Sequence, residues 1–291
     1  MPLLELQRLT KYYGPVRGIE DLTFTVEEGE IFGFIGPNGA GKTTTIRLLL
    51  GLIFPTRGQA RLFGRDPWQQ GPEVRRQIGY VPSEVFYYPG MKVGDLLHYA
   101  ARFYPGEHAA RLRELAAYFE LDLERRIDDL STGNRKKVGL VQGLLHRPRL
   151  LFLDEPTLGL DPLMQRRFFD LLREENRQRG LTVFFSSHIL SEVQRLCTRV
   201  GIIRAGRLVE IADIRTLQQN SYKKVSVTAQ GLTPAHFDLP GVADLHAEDG
   251  TVRFLYKGNL NRLVQRLNGL RLSDLTIEEP TLEEIFLHYY E

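Results

Sequence analysis

The sequence predicts an α/β fold built on a parallel sheet, interrupted by a helical insertion and followed by a small α+β domain. Three observations carry this expectation. The runs LLFLD (150–154) and TVFFSS (182–187) are uniformly apolar rather than alternating, as strands covered on both faces require. A further apolar strand, EIFGFIG, leads straight into a glycine-rich turn and then a helix. From about residue 221 the pattern switches to half-exposed alternation.

Taken in order, LLELQRLTKYY, IEDLTFTVEEG and EIFGFIG read as strands, and a helix runs from about Lys42 to near Gly51. Between Val93 and about Leu145 the spacing turns helical in VGDLLHYAARFY, ARLRELAAYFE and NRKKVGLVQGLLH. Ser131 is the expected N-cap of the last of these. Between the two apolar strands a helix opens with Asp161-Pro162, a cap followed by proline at the first helical position. In the last part, YKKVSVTAQ and TVRFLYKG are strands, NLNRLVQRLNG a helix and LRLSDLTIEE a strand. TLEEIFLHYYE closes the chain as a helix with a Thr281/Glu284 capping box. The expected domains are 1–220, with a helical subdomain at about 84–147, and 221–291. Neither a low-complexity tract nor a tandem repeat interrupts them.

The chain of 291 residues is 42% hydrophobic and 25% charged, which suits a folded globular protein. Its formal net charge is +2, from 38 basic and 36 acidic side chains, so no nucleic-acid partner is expected. The run Arg135-Lys136-Lys137 reads as a solvated helix face rather than a docking patch. Cys197 is the only cysteine, which excludes a disulfide within the chain and fits a reducing compartment. The segment MPLLELQRLT lacks the features of a signal peptide. No run approaches the roughly 18 apolar residues of a membrane span. A cytoplasmic chain is expected.

GPNGAGKTT supplies Gly36, Pro37, Asn38, Gly39, Ala40, Gly41, Lys42, Thr43 and Thr44, the pattern of a phosphate loop between strand and helix. Its backbone N–H groups would cradle the β-phosphate, Lys42 would reach the β- and γ-phosphates, and Thr43 would ligate Mg²⁺. LLFLDEP places Asp154 and Glu155 at the end of a buried strand, where α/β sheets bind ligands. Asp154 is the natural Mg²⁺ partner and Glu155 is free to orient or deprotonate a water. His188 ends the next strand, where it could sense the γ-phosphate; a lone histidine there would ordinarily be structural, and its company reverses that. LSTGN, at 130–134, is a second phosphate-binding helix start.

The order of YYG, GPNGAGKTTT, LSTGN, LLFLDEPT, GLD and SSH resembles the nucleotide-binding subunit of ABC transporters, over roughly residues 3–220. The resemblance implies an ABC-type P-loop cassette that hydrolyses ATP with Mg²⁺. It implies that Tyr13 stacks on adenine, that residues 36–44 hold the phosphates, and that Lys42, Glu155 and His188 are catalytic. Asp161 would lie in the subunit-contact loop, and Ser131 and Gly133 in the signature sequence. In the family two cassettes close head to tail, so this second phosphate-binding end serves the nucleotide of a second ATP-binding subunit, a homodimer being expected. An integral-membrane subunit is the other implied partner, met at the cytoplasmic face. The compact cassette and the ending EEPTLEEIF look like the drug- and peptide-exporter subgroup.

Two departures stand out. Thr132 and Asn134 replace a glycine and a glutamine of the usual signature. Ser83 stands where the family has a metal-contacting glutamine, and serine is too short to replace it; either Glu84 takes over or metal contact is weaker. The adjoining VFYYPG would meet the membrane subunit or pack on the helical insertion, and its rigid aromatics favour the interface. The main alternative is a soluble ABC ATPase without a transporter, for example in cofactor assembly. An inactive module conflicts with the complete Lys42, Asp154, Glu155 and His188 set. A GTPase conflicts with the lack of an Asn-Lys-x-Asp motif.

Overall fold

The computed structural model describes residues 2–216, 222–229, 231–248 and 250–279. The chain divides into two compact units, Met1–Ala212 and Asp213–Glu291.

The first unit opens with an antiparallel sheet of order β2-β1-β4, from β1 (Pro2–Tyr13), β2 (Val16–Glu27) and β4 (Arg57–Leu62). A six-stranded sheet of order β5-β6-β7-β3-β8-β9 forms the centre. Its strands are β3 (Ile31–Ile35), β5 (Ile78–Val81), β6 (Leu150–Asp154), β7 (Thr182–Ser187), β8 (Arg199–Arg204) and β9 (Arg207–Asp213). Strands β5, β6, β7, β3 and β8 pair in parallel, and every residue of β3, β6 and β7 is buried. This is the uniform apolarity of their sequences realised as cover on both faces.

Phe24 of β2 stacks on Phe32 of β3 at 5.5 Å, and Phe34 meets Phe184 of β7 at 5.3 Å, so aromatic rings join the two sheets. Helix α1 (Lys42–Leu49) follows β3, the short α2 (Gly71–Arg75) precedes β5, and α6 (Pro162–Arg179) connects β6 to β7. Between β5 and β6 lie α3 (Val93–Ala101), α4 (Ala109–Tyr118) and α5 (Thr132–Leu144), in the stretch where helical spacing was expected. Helix α7 (Leu190–Leu196) follows β7, and Cys197 just beyond it is buried against Gly33.

The second unit has an antiparallel sheet of order β11-β12-β10-β13. Its strands are β10 (Lys223–Ala229), β11 (Val242–Glu248), β12 (Thr251–Tyr256) and β13 (Leu272–Glu278). Helix α8 (Leu260–Leu267) places Leu263 and Leu267 in a core with Val225, Val227, Phe237, Val252 and Phe254. Strand β11 is an addition to the sequence reading. The final helix with its Thr281/Glu284 box lies outside the described residues. Among the described residues no helix is long and apolar enough to cross a membrane.

Just beyond α5, His146 stacks on Tyr104 at 3.6 Å, and its Nε2 lies 3.0 Å from the Ile78 carbonyl. Burial lowers the imidazole pKa to about 4, the Ile78 contact opposing and His108 adding to the shift. The folded value lies below the unfolded one, so the unfolded chain binds more protons between pH 6.5 and 4. Stability should therefore fall as pH drops through that window, by about 2–3 kcal/mol from this residue. Urea unfolding of wild type and His146→Gln at pH 7 and pH 4.5 checks this; an equal pH response in both would contradict it.

Candidate active site

The register of three neighbouring strands builds the site. Ile35 stands opposite Ser187, and Asp154 opposite Ser186, so the residues leaving β3, β6 and β7 emerge side by side. They do so at the carboxyl ends of the strands, where open α/β sheets take ligands.

Residues 36–44 turn β3 into α1. Gly41 is the N-cap of α1, with φ 109°, a conformation that an L side chain rarely adopts, and it has no side chain to cap the helix. The first N–H groups of α1 are therefore left without an intrahelical or side-chain acceptor, the arrangement that receives a phosphate. Pro37, Asn38 and Gly39 are exposed, whereas Gly36 and Ala40 are buried. The Lys42 side chain is 5% exposed, and its Nζ donates to the Gly36 carbonyl at 2.7 Å and to that of Pro37 at 3.2 Å. Burial lowers its pKa, while Glu155 and Asp154 oppose the shift. Tyr13 is half exposed at the end of β1, and both its ring and Thr44 crowd Gly18. That contact brings the tyrosine to the flank of the loop.

Asp154 is fully buried. Its Oδ2 accepts from Thr43 Oγ1 at 2.7 Å and its Oδ1 from Ser186 Oγ at 3.1 Å. Burial pushes its pKa up and the two hydroxyls push it back. A hydroxyl and a carboxylate oxygen side by side are the hard ligands that suit Mg²⁺. Among the described residues no cluster of three or more His, Cys, Asp or Glu is placed to hold a metal, so an ion here would draw further ligands from phosphate and water.

Glu155 has φ 48°, a left-handed conformation unusual for a residue with a side chain. Its N–H donates to the Ser186 carbonyl at 3.0 Å, which holds the turn. The Glu155 Oε1 lies 3.1 Å from His188 Nδ1 and 3.6 Å from Lys42 Nζ. The three residues expected to be catalytic thus meet at one carboxylate.

A second set forms elsewhere. Ser131 caps α5, its Oγ accepting from the Asn134 N–H at 3.3 Å, and Asp161 caps α6 through the Met164 N–H at 2.9 Å. Gly133 is pressed against the loop before Asp161: a Cβ on Gly133 would lie 2.4 Å from the Gly159 carbonyl oxygen. Among the described residues no hydrogen bond joins Ser131 or Gly133 to residues 36–44. Ser83 is half-buried and Glu84 exposed, and neither is hydrogen-bonded to Thr43 or Asp154.

Two residues escaped the sequence reading. Ser186, the second support of Asp154, had a visible signal in the polar end of TVFFSS. Lys136 is a correction: read as part of a solvated face, it is 2% exposed, with Nζ donating to the carbonyls of Pro82 and Ser83. Three consecutive cations on a helix cannot share one face, and the middle one turns inward.

The sequence profile of the ABC transporter family matches residues 19–158. That of the C-terminal domain of DrrA1-3-like ATP-binding proteins matches residues 210–290. The bacitracin transport ATP-binding protein BcrA of Bacillus licheniformis is 34% identical over 98% of this chain and 96% of its own. The chain belongs to the ATP-binding subunits of ABC transporters.

The linearmycin resistance ATP-binding protein LnrL of Bacillus subtilis (strain 168) is similar over 98% of this chain and 97% of its own, at 29% identity. A solved ATP-binding subunit of an ABC transporter shares 33% identity and a TM-score of 0.70, over 75% of this chain and 92% of that one. A dimeric bacterial ABC transporter cassette, at 22% identity and a TM-score of 0.67 over 73% and 99%, shares the fold. ABC cassettes bind and hydrolyse ATP, and relatives that serve transport do not favour a free-standing soluble ATPase.

In this ABC subunit the Gly133–Gly159 approach is a packing constraint with a measurable cost. Gly133→Ala should destabilise the cassette by about 1–3 kcal/mol, because the new methyl meets backbone rather than a side chain that can rotate away. A denaturant midpoint unchanged from wild type would show that the start of α5 and the loop at Gly159 do not touch in solution.

Proposed function

We propose that this ABC subunit hydrolyses Mg²⁺-ATP at a site closed between two copies of the chain, and that the cycle drives a separate integral-membrane subunit in export. The observation that carries the reading is the Glu155 carboxylate, held between Lys42 and His188 beside the Thr43–Asp154 pair.

The roles follow from the side chains. Lys42 exchanges the Gly36 and Pro37 carbonyls for β- and γ-phosphate oxygens. Glu155 accepts the proton of the attacking water, yielding ADP and phosphate, and His188 keeps that carboxylate oriented. Thr43 and Asp154 are the residues that would hold Mg²⁺, which supplies charge neutralisation at the phosphates when bound. Tyr13 offers a ring to adenine. Ser131 and Gly133 face the nucleotide of the second copy, with Asp161 at the contact between the copies.

Support for a membrane partner comes from a groove of about 410 Å³ lined by Tyr80, Phe86, Tyr88, Tyr99 and Phe103 among others. Phe86 is 86% and Tyr88 70% exposed, and such rigid aromatics suit an interface. Docking there would hold the chain at the cytoplasmic face of the membrane. Export rests on the relatives that serve bacitracin transport and linearmycin resistance, and on the DrrA-like C-terminal match. Selection of the transported molecule would lie in the membrane subunit.

Lys42→Ala should lower ATP turnover by roughly 10²–10³, since it removes the loop's charged contact to the phosphates. Turnover close to wild type in a steady-state assay would overturn the assignment. Replacing Phe86 and Tyr88 together by aspartate should abolish co-purification with the cognate membrane subunit. The same variant should keep its turnover without that subunit within about twofold; retained co-purification would move the interface elsewhere.

A further inference from the structure

Lys136 poses a problem that the proposed reaction leaves open. It sits on α5 beyond Ser131 and Gly133, almost wholly buried, with Nζ donating to the Pro82 carbonyl at 2.9 Å and the Ser83 carbonyl at 2.7 Å. Among the described residues no carboxylate lies within ion-pair distance. Burial lowers its pKa to about 8, with Asp154, Glu155 and Glu84 opposing from farther away. A buried ammonium is costly to desolvate unless hydrogen bonds compensate it. The compensation comes from two carbonyls of the loop after β5.

At Gly139 of the same helix, a Cβ would come within 3.1 Å of Val85 Cγ1 and 3.3 Å of Tyr87 Oη. The loop after β5 is thus laid along α5, clamped by Lys136 at residues 82–83 and packed at Gly139 farther along. One end of that loop carries Ser83 and Glu84, and the other the exposed Phe86 and Tyr88 of the groove.

We infer that Lys136 is a positioning residue for ATP hydrolysis: its two hydrogen bonds make residues 82–88 and the helix bearing Ser131 and Gly133 one rigid unit, fixing where Ser83 and Glu84 stand. This rests on the ATPase reading above. At position 83 it is the backbone carbonyl, not the serine side chain, that Lys136 anchors.

The test uses the full chain with Lys136→Met, which keeps the volume and removes the donors, and Lys136→Gln, which restores an amide donor. In Lys136→Met, hydrogen exchange of the amides at 83–88 should quicken by about tenfold with α5 protection unchanged. Its kcat for ATP should fall about tenfold while KM stays within about twofold. Lys136→Gln should recover most of both. Lys136→Ala, which leaves room for water at the two carbonyls, gives the same readings should the methionine variant not fold. Unchanged loop exchange, unchanged kcat, or a glutamine variant as impaired as the methionine one would overturn the inference. If wild type itself does not turn over ATP, the ATPase reading falls separately, and loop exchange alone decides whether Lys136 holds the loop.

Discussion

The hydrogen bond from Thr43 Oγ1 to Asp154 Oδ2 ties the helix after β3 to the end of β6, and the rest of the site hangs on it. A carboxylate with no exposure is costly unless donors surround it. Here Thr43, on the helix after β3, and Ser186, on the neighbouring strand β7, supply two. Ser186 also holds the turn at Glu155, whose N–H donates to the Ser186 carbonyl and whose left-handed backbone sets the side chain beside Lys42 and His188. Strain at one residue and burial of its neighbour are both supported by the parallel register of β3, β6 and β7.

The two helix starts proposed to bind phosphate differ in a telling way. Helix α1 begins at a glycine and has no side-chain cap, so its N–H groups are free to bind. Helix α5 is capped by its own serine, although the 3.3 Å contact to Asn134 is a long one that a phosphate oxygen could replace. Asp161, in contrast, holds α6 at 2.9 Å. A loosely self-capped helix start outside the loop's reach fits a group that waits for a second molecule.

Much of this was legible because the central strands are covered on both faces and leave unbroken apolar runs, and because a phosphate loop has few other meanings. Lys42 and Thr43 were singled out by the phosphate-loop motif, Asp154 and Glu155 by a buried strand end following that motif, and His188 by the company of the other motifs. Strand β4, RGQARL, was missed because four of its six residues are exposed and its composition resembles a turn. Strand β5 has four residues, too few for a periodicity. Lys136 was misread for a physical reason: a lysine between two cations looks solvated, and only tertiary structure brings the carbonyls of Pro82 and Ser83 over it.

In the proposed reaction the Ser131 end of one copy completes the Lys42 site of another. Glu155→Gln keeps the shape of the carboxylate and removes the base, slowing proton transfer by roughly 10²–10⁴, so ATP should accumulate between two copies. Sizing chromatography should then show a dimer with Mg²⁺-ATP and a monomer with ADP, because a ligand bound by the closed form stabilises it by mass action. Adding Ser131→Arg should abolish the dimer and leave ATP binding to the monomer. An ATP-dependent dimer that survives the second substitution would contradict the account, leaving Ser131 as a helix cap and nothing more.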